Sequence, residues 1–176
     1  MKERYKFITK NNWPRFLEGL SQTSRVMQPW GEGDYLWQEY KKDFCFNEYR
    51  AITSVRQFLI PSVEYIDRYF ESDPKERKPF CILGLKSCDL HSLHIQDHVF
   101  LGQEPDPRYK TFRDANLFIS SDCLACKDVC FCLALHINPY PEEFFDLNLS
   151  KLTGGYFVEV GSAKGAQALK EHGYLF

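Results

Sequence analysis

The segment FCILGLKSCDL, residues 80–90, begins as a continuous apolar run and ends with a cysteine and a carboxylate. An uninterrupted run of this kind is typical of a strand that is covered on both faces, as in parallel sheets. Apolar side chains then recur at helical spacing over residues 89–100, and a second apolar run, LFI, occupies residues 117–119. This strand–helix–strand order predicts two parallel neighbouring strands. The fold class expected is therefore α/β, with a parallel or mixed sheet and flanking helices.

The rest of the chain indicates further elements of the same two kinds, without internal repeats, so residues 1–176 are expected to form a single domain. The predicted elements are a strand at 5–8, a helix capped by Asn12, short strands within 29–49, a helix from about Ser62, a charged loop at 73–79, a loop with two prolines after residue 100, strands at 146–149 and 156–160, and a final helix at 163–172.

Composition limits the classes of function. The chain is 44% hydrophobic and 26% charged, with a net charge of −2 and a pI of about 6.2, so neither nucleic acid nor an anionic membrane is expected as the main partner. It has no N-terminal apolar leader and no apolar run of membrane-spanning length, which predicts a cytoplasmic protein without a membrane span. Seven cysteines in such a protein favour metal binding or catalysis over a disulfide framework.

Four of the seven cysteines lie within ten residues, at Cys123, Cys126, Cys130 and Cys132. The first of them follows the second predicted strand, and Cys88 follows the first predicted strand after a gap of similar length. In open α/β sheets, ligands collect beyond the carboxyl ends of the strands. The sequence therefore predicts a cysteine-rich loop at the carboxyl edge of the sheet, close to Cys88.

The spacing C-x₂-C-x₃-C-x-C, residues 123–132, is compatible with three kinds of chemistry. Zinc favours two paired knuckles, but Cys130 and Cys132 are too close to form a regular second one. A bacterial ferredoxin motif would have a different spacing and a proline in place of Leu133. A dithiol redox pair formed by Cys123 and Cys126 would leave the other two cysteines without a role.

An iron–sulfur cluster that draws Cys88 together with Cys123, Cys130 and Cys132 accounts for more of the pattern. Cys88 begins a predicted helix, where free backbone N–H groups favour negative charge. On spacing alone, this cluster and a zinc site remain equal alternatives.

Several spaced motifs, from about residue 50 to residue 165, resemble a known family. They are similar to the N-terminal domain of the iron–sulfur β subunits of soluble nickel–iron hydrogenases (sulfhydrogenases) and of the related iron–sulfur subunits of anaerobic sulfite reductases. The matching motifs are FLIP at 58–61 with Glu64, KSCDL at 86–90, DHVFL at 97–101, DPRY at 106–109, Cys123-x₆-Cys130-Phe131-Cys132, and GYFVEVG at 155–161.

The resemblance implies a [4Fe–4S] cluster on Cys88, Cys123, Cys130 and Cys132, with Zn²⁺ or a [2Fe–2S] cluster as the alternative cofactor. It implies an electron-transfer component of anaerobic metabolism that is not catalytic by itself. Electrons would pass between flavin- or metal-containing subunits of a hydrogenase or reductase. The alternatives are a zinc-stabilised interaction module and a dithiol redox sensor.

Three residues near the matching cysteines lie outside the implied ligand set. Lys86 and Asp89 are expected to lie just outside the ligand set, where they would affect the charge around it. Cys126 has no counterpart in the family pattern, so it is either a bystander or an alternative ligand. Family members also continue into a C-terminal ferredoxin-like half, so this chain is expected to be either a fragment or a minimal version.

Overall fold

The structure, a computed structural model, describes residues 4–60 and 78–176. The helix predicted from about Ser62 and most of the charged loop at 73–79 lie outside the described residues. The same is true of Pro61 and Glu64 in the resemblance motif.

A mixed sheet of seven strands lies at the centre of the described part of the chain. Its strands are β1 (Tyr5–Thr9), β2 (Arg25–Trp30), β3 (Leu36–Glu39), β4 (Phe80–Leu85), β5 (Leu117–Ser121), β6 (Leu147–Leu152) and β7 (Gly155–Val160). Their order across the sheet is β1-β7-β6-β5-β4-β2-β3. The predicted α/β class with a mixed sheet is confirmed.

The middle of the sheet is parallel and its margins are antiparallel. β2, β4, β5 and β6 run in one direction, whereas β1, β7 and β3 pair antiparallel with their neighbours. Cys81 lies opposite Leu117 and Leu83 opposite Ile119, so β4 and β5 are the parallel neighbours that the two apolar runs predicted. Their register shifts between Leu83 and Leu85, where Gly84 has a φ of 70°.

Four α-helices flank the sheet in the described residues: α1 (Asn12–Thr23), α2 (Ser87–Phe100), α3 (Pro107–Ala115) and α4 (Ala163–Glu171). Two details differ from the predictions. Asn12 is the first residue of α1 rather than its cap. Part of the two-proline loop is α3, whose N-terminus is capped by Asp106 through hydrogen bonds from the backbone N–H groups of Arg108 and Tyr109. No helix among residues 4–60 and 78–176 is both long and apolar enough to cross a bilayer.

Two buried clusters form the core. Cys81 and Leu83 of β4 pack into a cluster with α1 and α4, and Ile82 packs into a second cluster with α2 and α3. Alternate residues of one strand therefore enter different clusters, which is the burial pattern expected for a strand covered on both faces. The continuous apolar run at 80–85 is explained by this double coverage.

Candidate metal centre

Two segments bring predicted ligands to the same edge of the sheet. α2 begins at Ser87, directly after β4, so Cys88 lies in its first turn. β5 ends at Ser121, and the cysteine loop follows at once. Leu85 lies opposite Ser120 in the parallel pair, so both segments leave the sheet at its carboxyl edge. Cys88 and Cys123 thus start from one edge although 35 residues separate them in sequence.

The thiols of Cys88 and Cys132 lie close enough for Cys132 to affect the pKa of Cys88. Burial of the Cys88 side chain raises the pKa of its thiol to about 12, and the Asp89 carboxylate and the Cys132 thiol add to the increase. The Arg50 guanidinium acts in the opposite direction. A residue from α2 and a residue from the cysteine loop therefore share one electrostatic environment.

Cys123 links the remaining thiols to this pair. Burial raises the pKa of Cys123, the Lys86 ammonium opposes that increase, and the thiols of Cys130 and Cys132 add to it. Each of the four predicted ligands thus affects the pKa of another of the four, or has its own pKa affected by one. Their assignment as metal ligands remains a prediction.

The loop between Cys123 and Cys132 turns sharply at Cys130. The backbone N–H of Lys127 donates to Cys130 Sγ at 3.3 Å, and the backbone N–H of Cys130 donates to the Lys127 carbonyl at 2.9 Å. Cys132 then begins a short 3₁₀ helix, Cys132–Leu135, and Cys126 is exposed. Within the described ranges, no group of three or more His, Cys, Asp or Glu side chains is arranged to hold a single metal ion.

Lys86 lies inside the protein beside these cysteines, with only 1% of its surface exposed. Its Nζ donates to the Asn47 carbonyl at 2.6 Å, to Ser121 Oγ at 2.8 Å and to the Asp122 carbonyl at 2.9 Å. The sequence placed Lys86 near the cysteines. It gave no indication that the ammonium is buried or which atoms it contacts.

Asp89 is also buried, and it fixes the beginning of α2. Its Oδ2 accepts a hydrogen bond from the backbone N–H of Lys86 at 3.1 Å, and Arg50 Nε lies 3.9 Å from its Oδ1. Burial raises the pKa of Asp89, while the hydrogen bond from Lys86 and the charges of Arg50 and Lys86 lower it. Asp89 therefore combines a capping contact with a position next to Cys88.

Residues 47–50, here called the strap, are hydrogen-bonded to the start of the cysteine loop. The Glu48 carbonyl accepts hydrogen bonds from the backbone N–H groups of Leu124, at 2.8 Å, and Ala125, at 3.3 Å. The Asn47 side chain donates to the Gly84 carbonyl at 2.8 Å, which anchors the strap to β4. Sequence reasoning missed the strap, including Arg50. Gly84 offered the one sequence signal for this contact, because a glycine inside an apolar strand often marks a place where another segment approaches the backbone closely.

Large apolar side chains project into solvent around the cysteines. This apolar rim consists of Leu124, Val129, Phe131, Leu133 and Leu135, which are between 51% and 82% exposed. Contiguous exposed apolar surface is uncommon on monomers and often marks an interaction site. The residues of the rim lie in residues 124–135, the same part of the chain as Cys126 and Cys130.

A cleft of about 890 Å³ lies elsewhere, between the first residues of β1 and helix α4. Arg4, Lys6, Ser162 and Lys170 are among the residues that line it, and none of its lining residues is a cysteine. The candidate metal centre is therefore separate from this cleft.

Comparison with known proteins supports the resemblance noted in the motifs. No family model matches the chain, and no solved structure matches it. The sulfhydrogenase 2 subunit beta of Pyrococcus furiosus is 27% identical over 179 aligned residues, which cover 98% of this chain and 53% of that protein. The chain thus spans about half the length of the curated relative it matches. The predicted resemblance is confirmed, because the chain is similar to a sulfhydrogenase beta subunit over nearly all of its own length.

Proposed function

We propose that this chain is an electron-transfer component that holds a [4Fe–4S] cluster on Cys88, Cys123, Cys130 and Cys132. It would relay single electrons between partner redox subunits of a hydrogenase- or reductase-like complex. Catalysis would take place on a partner subunit that contains a flavin or a metal. The similarity to a sulfhydrogenase beta subunit, which covers 98% of this chain, supports the proposal.

The observation that carries the proposal is that cysteines from two distant segments start from one edge of the sheet. Leu85 lies opposite Ser120 in the parallel pair, so the segments that carry Cys88 and Cys123 leave the sheet at its carboxyl edge. Cys132 also affects the pKa of both Cys88 and Cys123. Ligands are expected to collect at this edge of an open α/β sheet, which supports a metal group shared by the two segments.

The surroundings also fit an anionic metal–thiolate group. The backbone N–H of Lys127 donates to Cys130 Sγ, and hydrogen bonds of this kind to sulfur stabilise thiolate ligands. Lys86 and Arg50 provide positive charge beside Cys123 and Cys88. A bound cluster would supply a site for one electron. The chain would take that electron from a reduced partner and give it to an oxidised one, with no net change in itself.

The experiment that tests this proposal is the iron, acid-labile sulfide and zinc content of the protein purified without oxygen. We expect about four irons and four sulfides per chain, with a broad absorption in the visible region. Stoichiometric zinc without sulfide would contradict the proposal and favour an interaction module. Absence of all three elements would favour a dithiol pair formed by Cys123 and Cys126.

The apolar rim is where we expect a redox partner to dock, since electrons must enter or leave close to the exposed cysteines. The change Val129→Lys places a charge on the rim. A lysine desolvated in an apolar interface should slow electron exchange with the partner subunit by roughly tenfold or more. The rate is measured by mixing the reduced variant with its oxidised partner and following the visible absorption.

Val99→Lys is the matched control, because Val99 is 66% exposed, compared with 78% for Val129, and lies near the far end of α2 from Cys88. Both variants should retain the iron content of the wild type. Equal rates for the two variants would show that the partner does not dock on the rim.

A further inference from the structure

The ammonium of Lys86 is buried without a charged hydrogen-bond acceptor. The three atoms that accept its hydrogen bonds are the carbonyl oxygens of Asn47 and Asp122 and the hydroxyl oxygen of Ser121. Phe46 covers it from another side, with the ring centre 5.3 Å from Nζ. Burial of a charge is costly unless nearby groups of opposite sign compensate for it.

The groups that can compensate include the predicted ligands. The Asp122 carbonyl that accepts a hydrogen bond from Nζ directly precedes Cys123, and Lys86 lies two residues before Cys88. A thiolate at either position would carry a charge opposite to that of the ammonium, so the two charged forms would stabilise each other.

The same ammonium joins three parts of the site. Its hydrogen bonds reach the strap at Asn47, the end of β5 at Ser121 and the start of the cysteine loop at Asp122, while its own backbone precedes α2. One side chain thus connects three parts of the site: the segment that carries Cys88, the segment that carries Cys123, and the strap. A surface lysine could not make these contacts.

We propose that Lys86 is a positioning residue of the metal centre, whose buried charge holds the cysteine loop in place and raises the reduction potential of the bound cluster. This inference rests on the proposed function. Adding an electron makes the centre more negative, and a fixed positive charge at close range in a poorly solvated site favours that state.

Lys86→Gln removes the charge but keeps two hydrogen-bond donors, whereas Lys86→Arg keeps the charge. At a fixed ambient potential, we expect Lys86→Gln to reduce the ratio of reduced to oxidised centre at least tenfold, which corresponds to about 59 mV or more for a one-electron couple. Lys86→Arg should remain close to the wild type. The ratio is measured by redox titration monitored by electron paramagnetic resonance.

Lys151→Gln is the matched control. Lys151 is exposed, and its Nζ lies 5.6 Å from the centre of the same Phe46 ring. Because water screens an exposed charge, this variant should titrate like the wild type. If Lys86→Gln and Lys151→Gln gave equal potentials, the charge of Lys86 would have no special effect and the inference would be overturned.

Two further outcomes separate this inference from the proposed function. If the wild type held no iron and sulfide, the proposed function would be wrong, and the inference about Lys86 would be wrong with it. If it held a cluster while Lys86→Gln was misfolded by circular dichroism, Lys86→Met would be titrated in its place. If the metal-free form of Lys86→Met were also misfolded, Lys86 would be required for folding of the chain in general. The proposed role in positioning the metal centre would then be wrong.

Discussion

Replacement of Cys132 by alanine is expected to remove the cluster almost completely from protein purified without oxygen. Cys132 affects the pKa of both Cys88 and Cys123, so its loss removes the member of the proposed ligand set that interacts with both segments. The decrease in iron affinity should exceed the roughly 10–100-fold loss that is typical of residues outside the ligand set. Iron and acid-labile sulfide per chain are the quantities to measure.

Cys126→Ala is the matched control, since Cys126 lies in the same loop and is exposed. This variant should keep the full iron and sulfide content. Loss of the cluster in Cys126→Ala, with retention in Cys132→Ala, would exchange the roles of the two residues. The ligand set inferred from the family pattern would then be incorrect.

Gly84→Ala is expected to lower the free energy of unfolding by roughly 3 kcal/mol, through backbone strain and overpacking together. The φ of Gly84 is 70°, a conformation that alanine rarely adopts. An added Cβ would also overlap the Asn47 side-chain oxygen and come within 3.0 Å of Pro29 Cδ. The substitution should therefore displace the anchor of the strap. Urea denaturation of the metal-free protein measures the change.

Gly154→Ala separates the two causes. Gly154 has a φ of 87°, and an added Cβ there would meet no atom within 4 Å. This variant should lose only the strain energy, about 1 kcal/mol. Equal losses for the two variants would mean that Asn47 moves aside at little cost and that its contact with Gly84 does not anchor the strap.

The sequence predicted best the elements whose burial produces a recognisable local pattern of apolar residues. β4 is covered on both faces and is therefore apolar throughout, whereas β3, at the edge of the sheet, is mostly exposed and lacks a comparable pattern. The helix α3 was missed because Pro107, its first residue, and the nearby Pro105 suggested a loop. The sequence Asp106-Pro107 is nevertheless a regular helix start, with a capping carboxylate followed by a proline in the first turn.

The candidate site was predictable to the extent that it depends on topology. Parallel strands bring Cys88 and Cys123 to one edge, and this follows from two apolar runs. The position of Cys132 depends on the path of an irregular loop, so the cysteine spacing alone left its role open between an iron–sulfur cluster and a zinc site. Arg50 and Asn47 lie far from the cysteines in sequence, and their contacts depend on tertiary packing that leaves no local signal.

The strand order also determines at which stage of folding the candidate site can form. The strap at 47–50, the start of α2 and the cysteine loop come from three distant parts of the chain, joined through β4 and β5. Contacts of such long sequence separation form slowly, because large loops must close first. For the proposed cluster, insertion of iron and sulfide should therefore come late, after the parallel core of the sheet has formed.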